Sequence, residues 1–186
     1  MRVLHVVCSD RFAGVERHVA LLAGAQHDAG ATVAVIGGDE GSMRRDIGRN
    51  AVVFRPAGGL LQTIRTARPF VQGADIVHVH MTASEVAGVI AAVGARAAVI
   101  TTRHFADGRG STALNRWVGQ RAAARIDAQI AVSAYAARYV EGHSTVVHAG
   151  VRDRTAPDPG TRERTVLVAQ RLESEKCTDL ALDAFA

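Results

Sequence analysis

The chain has 186 residues, of which 48% are hydrophobic and 22% are charged, with a formal net charge of +4. This composition predicts a buried core and excludes general disorder. The arginines are scattered and are not interleaved with aromatic residues, which argues against nucleic-acid binding and favours phosphorylated small molecules or an anionic membrane surface.

The two cysteines, Cys8 and Cys177, lie far apart and form no close-spaced pair that would suggest a zinc site or a redox dithiol. The apolar run at residues 2–8 is too short for a signal peptide, and no apolar run has the length of a membrane span. We therefore expect a cytoplasmic protein.

Short apolar runs alternate along the chain with longer alanine-rich stretches, which predicts alternating strands and helices. Continuous Val/Ile runs such as 33–36 and 76–79 are typical of strands covered on both faces. The predicted fold class is α/β, a doubly wound parallel Rossmann-like sheet with right-handed crossovers. The predicted strands lie near residues 2–8, 32–37, 51–54, 75–80, 97–102, 128–132 and 144–148. The predicted helices lie near residues 14–29, 42–48, 59–68, 83–94, 111–125 and 133–141.

The pattern changes after Val151, which predicts three segments. Residues 1–151 form one Rossmann-like domain, and residues 152–164, rich in Pro, Gly and alternating charge, form a linker. Residues 165–186 hold one further strand, at 165–169, and one helix. A lone strand with unpaired edges is an association hazard, so we expect residues 165–186 to support a dimer or strand exchange.

The first predicted loop, residues 9–18, lacks the three-glycine spacing of a nicotinamide or flavin site. Gly14 at the start of the first helix can expose backbone amides to an anion. The alternative interpretation of this glycine is turn chemistry alone.

Histidines and an arginine follow the central predicted strands. His78 and His80 share one side of a strand and, with His104, could bind a metal, but no carboxylate lies at a ligand-like spacing, so we expect no metal. Arg103 and His104 lie at the carboxyl edge of the sheet, where a histidine can exchange hydrogen bonds with a hydroxyl group. Ser133 lacks a glycine-flanked elbow and is predicted to be a helix cap.

Six segments resemble, in order, the landmarks of retaining glycosyltransferases of family 4. They are residues 12–18, 75–80, 102–104, 130–133, 147–151 and 168–176. The resemblance implies a GT-B arrangement of two Rossmann-like domains, with residues 1–151 on the acceptor side and residues 165–186 starting the donor side. It implies transfer of a sugar from a nucleotide-diphosphate donor to a hydroxyl acceptor, without cofactor, metal or nucleic acid.

The resemblance also assigns roles to residues. His104 is the implied catalytic contact to the transferred sugar or the acceptor. Gly14, Arg171 and Lys176, the only lysine in the chain, are implied to bind the donor phosphates. Cations there would stabilise the charge that grows on the leaving diphosphate. The implied sugar- or acceptor-binding residues are Glu16, His80 and Arg103.

The chain departs from the family pattern in two ways. Gln170, Cys177 and Ala13 stand where the family usually has glycine. The chain also ends before the acidic residues that hold the donor sugar in the family, so we expect a truncated, inactive fragment.

Two other functions stay open. A non-catalytic α/β module could bind a phosphorylated metabolite or a protein partner, and a nucleotide-sugar epimerase would share the architecture but not the motifs. A cluster of arginines could mark peripheral contact with the inner face of a membrane, or simply a solvated surface. These arginines are Arg44, Arg45, Arg49, Arg65 and Arg68.

Overall fold

The computed structural model describes residues 1–48, 51–151, 165–170, 172 and 174–185. The chain divides into two compact units, Met1–Val151 and Arg152–Ala186. Among the described residues, the strands of the first unit are β1 (Arg2–Val7), β2 (Thr32–Ile36), β3 (Val53–Arg55), β4 (Ile76–His80), β5 (Ala98–Arg103), β6 (Ala128–Ala131) and β7 (Thr145–Val146). Its helices are α1 (Gly14–Asp28), α2 (Glu40–Ile47), α3 (Leu60–Val71), α4 (Thr82–Ala91), α5 (Ala113–Ala123) and α6 (Ala134–Tyr139).

The strands form one parallel sheet in the order β3-β2-β1-β4-β5-β6-β7. This confirms the predicted doubly wound α/β fold. The order reverses direction between β1 and β4, which pair with Val3 opposite Ile76 and Val7 opposite His80. Ligands of such sheets bind in the crevice outside the carboxyl ends of the strands at this reversal.

Alternation along β1 and β4 divides the core into two layers. Leu4 and Val6 of β1, with Val77 and Val79 of β4, pack in one cluster with α3 and α4. Val7 packs in a second cluster with α1 and α2. Full burial of each such aliphatic side chain contributes about 1.5–3 kcal/mol. Three other buried positions of these two strands carry histidines, namely His5, His78 and His80.

Local hydrogen bonds fix the starts of the helices. Ser133 Oγ accepts a hydrogen bond from Ala136 N at 3.0 Å, which confirms its prediction as a helix cap. Glu16 closes the first turn of α1 by accepting from Ala13 N at 2.9 Å. Ser84 Oγ in α4 accepts from Cys8 N at 2.7 Å, so the loop after β1 is tied to the start of α4.

The second unit contains a 3₁₀ helix (Ser174–Lys176) and a short helix α7 (Thr178–Asp183) among its described residues. The predicted strand at 165–169 is wrong, because these residues have no regular secondary structure and are exposed. A single strand needs a neighbour for its backbone groups, and the described part of this unit offers none. The predicted linker, 152–164, lies outside the described residues, as does Arg49.

The elements predicted in the first unit are confirmed, with shifts at their ends. The largest shifts are three residues: α3 continues past Pro69 to Val71 instead of ending at residue 68, and α4 ends at Ala91 instead of residue 94. No helix in the described ranges is both long and apolar enough to cross a membrane.

Candidate functional site

Five histidines gather at the centre of the sheet and form what we call the histidine cluster. His5 of β1 lies opposite His78 of β4, and His80 lies opposite Val7. Because side chains alternate along a strand, His78 and His80 share the face that α1 covers. The members of the cluster are His5, His18, His78, His80 and His104.

A continuous chain of hydrogen bonds links three of these rings to α1, and we call it the imidazole chain. Gln26 Oε1 lies 2.7 Å from His5 Nε2. His5 Nδ1 lies 3.1 Å from His80 Nε2, and His80 Nδ1 lies 3.2 Å from His104 Nε2. The chain therefore leads from a glutamine on α1, through the middle of the sheet, to the residue that follows β5.

The other two histidines pack against this chain. His78 stacks on His80 with ring centroids 4.3 Å apart, and its Nε2 lies 2.7 Å from Thr102 Oγ1. His18 meets His104 edge to face at 5.1 Å. Both contacts restrict the rings of the imidazole chain to one orientation.

Burial keeps the histidine cluster uncharged, because removing an imidazolium from water is costly. Burial lowers the pKa of His5 to about 4 and the pKa of His104 to about 4. Burial, reinforced by the neighbouring histidines, lowers the pKa of His78 to about 2 and that of His80 well below its usual value. Burial also lowers the pKa of His18. At neutral pH the site is thus a group of neutral imidazoles, each with one donor and one acceptor nitrogen.

The nitrogens of His5, His78 and His80 lie within 4.8 Å of one another, close enough for a metal site. The ring orientations argue against one, because a metal lies in the plane of each imidazole that binds it. The stacked rings of His78 and His80 are inclined by only 29°, so their lone pairs do not converge. His5 and His80 also use the facing nitrogens in their own hydrogen bond. The absence of a metal stays an expectation.

A backbone conformation that is rare for a side-chain-bearing residue lies at the end of β4. Met81, between His80 and α4, has φ 72° and ψ 159°. Such a conformation costs about 1–3 kcal/mol outside glycine and is concentrated at functional sites. It turns the chain sharply beside His80, at the predicted ligand edge of the sheet.

The loop that follows His104 is anchored by a buried ion network. Glu85 of α4, fully buried, accepts from Arg109 Nε at 2.6 Å and from Arg109 Nη2 at 3.1 Å. Arg109 also contacts Glu141 at 3.2 Å and Gln129 Oε1 at 2.6 Å. These contacts join α4, β6 and residue 141 to the loop, and so position His104.

The side chain of Arg103, the residue before His104, belongs to this network. Its guanidinium is buried, 3.4 Å from Glu141 and 3.9 Å from Glu85, and it donates to Asp107 O. The side chain thus stabilises the loop, and its predicted role in binding sugar or acceptor stays a prediction.

The other predicted site residues are found in three different settings. His80 is fully buried behind His104. Gly14 begins α1, with open space beside its Cα, and Glu16 is buried in the first turn of the same helix. Lys176 ends the 3₁₀ helix of the second unit, where its carbonyl accepts from Gln170 Nε2 at 3.0 Å. Arg171 lies outside the described residues.

A cavity opens at the amino ends of α3, α4 and α5, each of which follows a strand. Its volume is about 360 Å³. Apolar side chains dominate its lining, with a few hydroxyl and amide groups, as is typical of ligand pockets. Among the lining residues are Leu60, Thr82, Val86, Ser111, Asn115 and Val118.

The arginines considered for membrane contact are partly neutralised by neighbours. Arg44 pairs with Glu40 at 2.9 Å and lies over the ring of Phe54. Arg45 lies 4.0 Å from Asp46. These contacts favour a solvated, locally paired surface on α2.

Known proteins match the chain in sequence pattern and in fold. Residues 12–153 match the family model described as Glycosyltransferase Family 4. HepE from Anabaena, solved in complex with UDP-glucose, superposes with a TM-score of 0.63 and 18% identity over 81% of this chain and 44% of its own. MurG from Acinetobacter baumannii gives a TM-score of 0.57 and 10% identity over 81% of this chain and 46% of its own. No curated protein sequence matches the chain.

At these identities the two solved structures show a shared fold. The chain spans less than half the length of each.

The first prediction concerns acid stability. The cluster histidines have folded-state pKa values below the unfolded value of about 6.5, so the unfolded chain binds more protons as the pH falls. Each histidine that stays neutral in the folded protein then makes the free energy of unfolding at pH 5.5 about 1.4 kcal/mol lower than at alkaline pH. We expect urea denaturation to show stability constant above pH 7 and falling steadily from pH 6.5 to 5.

A variant separates this effect from general acid sensitivity. His5→Gln removes one titrating group and should make the loss of stability between pH 6.5 and 5 less steep. Equal stability of the natural chain at pH 7 and pH 5 would contradict the buried neutral cluster.

The second prediction concerns the ion network. Glu85→Gln leaves Arg109 and Arg103 buried without their central carboxylate, and breaking a buried pair in this way costs about 3–5 kcal/mol. The control is Glu40→Gln, which removes an exposed pair and should cost less than about 1 kcal/mol. Urea denaturation of both variants tests the difference, and equal losses would show that the network does not anchor the loop.

Proposed function

The chain is a member of glycosyltransferase family 4, and from this we propose that it provides the acceptor side of an enzyme that moves a sugar from a nucleotide-diphosphate donor to a hydroxyl group. The observation that carries the proposal is the position of His104, an uncharged imidazole at the carboxyl edge of the sheet, beside the reversal of strand order. This is the edge where sheets of this kind bind their ligands.

His104 is the proposed contact to the transferred sugar or the acceptor hydroxyl. An imidazole whose pKa is about 4 stays uncharged at neutral pH and can hold a hydroxyl group by hydrogen bonding without bringing a charge near the reacting carbon. His80 supports this role by holding the His104 ring in place, with His80 Nδ1 3.2 Å from His104 Nε2. Glu16 and Arg103 are proposed to act near the sugar by shaping the loops that carry Gly14 and His104.

The donor diphosphate requires positive charge, because negative charge grows on the leaving phosphate when the glycosidic bond breaks. We assign this task to Arg171 and Lys176 of the second unit. For the first unit, we assign anion binding to the backbone N–H groups around Gly14 at the start of α1. No metal or cofactor is needed in this scheme. Retention of the anomeric configuration is the outcome that the motif order implies.

The apolar cavity of about 360 Å³ next to α3, α4 and α5 is the proposed place for the non-reacting part of the acceptor. We further propose a cytoplasmic location and peripheral contact with a membrane through arginines such as Arg65 and Arg68. Pairing of two chains through residues 165–186 is also part of the proposal. HepE, a solved relative by fold, was captured with UDP-glucose, which makes this nucleotide sugar the first donor to test.

The third prediction tests the donor contact. Titration of isotope-labelled chain with UDP-glucose should shift the NMR signals of His104 and of the loop around Gly14, whereas UDP should shift the loop and leave His104 unchanged. His104→Ala should weaken UDP-glucose binding roughly three- to tenfold, the value of a hydrogen bond or two. His143→Ala, which changes an exposed histidine, is the matched control and should bind normally.

The pattern of shifts also separates the two classes of function. Binding that depends on phosphate and not on the sugar would favour a non-catalytic module for phosphorylated metabolites. No response of His104 to any nucleotide sugar would contradict its proposed role.

A further inference from the structure

The imidazole chain has a direction, because the atom at its start, Gln26 Oε1, can only accept a hydrogen bond. The Gln26 carbonyl oxygen carries no proton, so His5 must donate to it from Nε2. A neutral His5 then has a bare Nδ1, which accepts from His80 Nε2. The same logic gives His80 a bare Nδ1, which accepts from His104 Nε2.

We propose that Gln26, acting through His5 and His80, holds His104 in the tautomer with its proton on Nε2, so that His104 presents a bare Nδ1 as the acceptor for a substrate hydroxyl. Gln26, His5 and His80 are positioning residues in this scheme. The identity of the hydroxyl, on the transferred sugar or on the acceptor, rests on the proposed function. The tautomer itself does not.

The ring geometry supports direct hydrogen bonds along the chain. The centroids of His5 and His80 are 5.4 Å apart while their nearest nitrogens are 3.1 Å apart, so the rings meet at their edges. His80 and His104 have the same centroid distance, with nitrogens 3.2 Å apart. By contrast His78, at 4.3 Å, faces the flat side of His80 and does not compete for its nitrogens.

Burial lets the tautomer of one ring in the imidazole chain determine the tautomer of the next. His5 and His80 are fully buried, so neither ring can exchange its proton readily with water or take up a second one. A ring with one proton must accept on one side when it donates on the other. The acceptor at Gln26 therefore determines which nitrogen of His104, two rings away, carries the proton.

The imidazole chain ends at His104 Nδ1, which is the atom proposed to meet the substrate. Within the described residues, the hydrogen bond of His104 uses Nε2, and none occupies Nδ1. His104 is half-buried, so its Nδ1 can meet a ligand at the carboxyl edge of the sheet. The groups that face the ring are other histidines, His18 at 5.1 Å and His80 at 5.4 Å.

A bare Nδ1 selects what can bind there. A hydroxyl group or an amine can donate to it, whereas a carboxylate or a phosphate oxygen would place lone pair against lone pair. The imidazole chain therefore requires a hydrogen-bond donor, such as a hydroxyl group, at this position and rejects an acid-bearing sugar whose carboxylate would have to face His104.

The test is a proton–nitrogen NMR correlation of the histidine side chains in the free chain at pH 8. We expect a protonated Nε2 and a bare Nδ1 in His5, His80 and His104. We also expect nitrogen–nitrogen couplings across the two histidine–histidine hydrogen bonds, with His104 and His80 as donors. A His104 proton on Nδ1, or the opposite direction of donation, would overturn the proposal.

A pair of variants at one position tests the role of Gln26. Gln26→Lys replaces the acceptor with a donor, so the His104 proton should move toward Nδ1, and His5 and His80 should become the donors in the two couplings. Gln26→Glu keeps an acceptor and should preserve the pattern. Identical spectra for Gln26→Lys and the natural chain would show that Gln26 does not set the direction, and if Gln26→Lys fails to fold, the natural chain alone decides.

Two outcomes distinguish this inference from the proposed function. The correct tautomer in a chain that binds no nucleotide sugar leaves the inference standing and removes the proposed function. Stoichiometric binding of zinc to His5, His78 and His80 in the metal-free protein would overturn the inference, because the metal would replace the hydrogen bond between His5 and His80.

Discussion

The structure depends on one constraint: polar rings buried at the centre of a parallel sheet must satisfy their hydrogen bonds with one another. His5 and His78 are register partners on adjacent strands, so their side chains lie together without access to water. A buried charge there would be costly, and an unpaired nitrogen would cost about 1–3 kcal/mol. Neutral rings linked edge to edge meet both demands. Every buried side-chain polar atom among the described residues has a partner.

The constraint connects the centre of the sheet to its ligand edge. The imidazole chain starts at Gln26 on α1, crosses β1 and β4, and ends at His104 after β5. The ion network around Glu85 and Arg109 holds the same loop from the other side. Two sets of contacts therefore surround the segment that carries His104, one made of neutral rings and one of charged groups.

Much of the fold could be predicted from the sequence, because apolar runs and alanine-rich stretches alternate clearly in the first unit. The histidine cluster could be predicted only in part. His80 and His104 were singled out because each ends or follows a predicted strand, and the structure places them in contact. His5 was missed because its role depends on which strand lies beside β1, and the pairing of β1 with β4 is not a local property of the chain. Its signal was a histidine at an inward position of a buried strand.

The ion network and the second unit show two other limits of sequence patterns. Glu85 and Arg109 are 24 positions apart, and nothing local marks them as partners. The sequence places Arg103 at the carboxyl edge of the sheet but does not show that its guanidinium lies near Glu85 and Glu141. The strand at 165–169 was predicted from its apolar run, and it lacks the neighbour that a strand requires.

The central claim is that burial keeps the histidine cluster neutral under physiological conditions. A pH titration of the imidazole NMR signals tests it most directly. The signals of His5, His78, His80 and His104 should stay constant from pH 8 to 5.5, whereas an unfolded histidine would be mostly protonated at the lower value. Half-protonation of His5 or His104 above pH 6 would contradict the account.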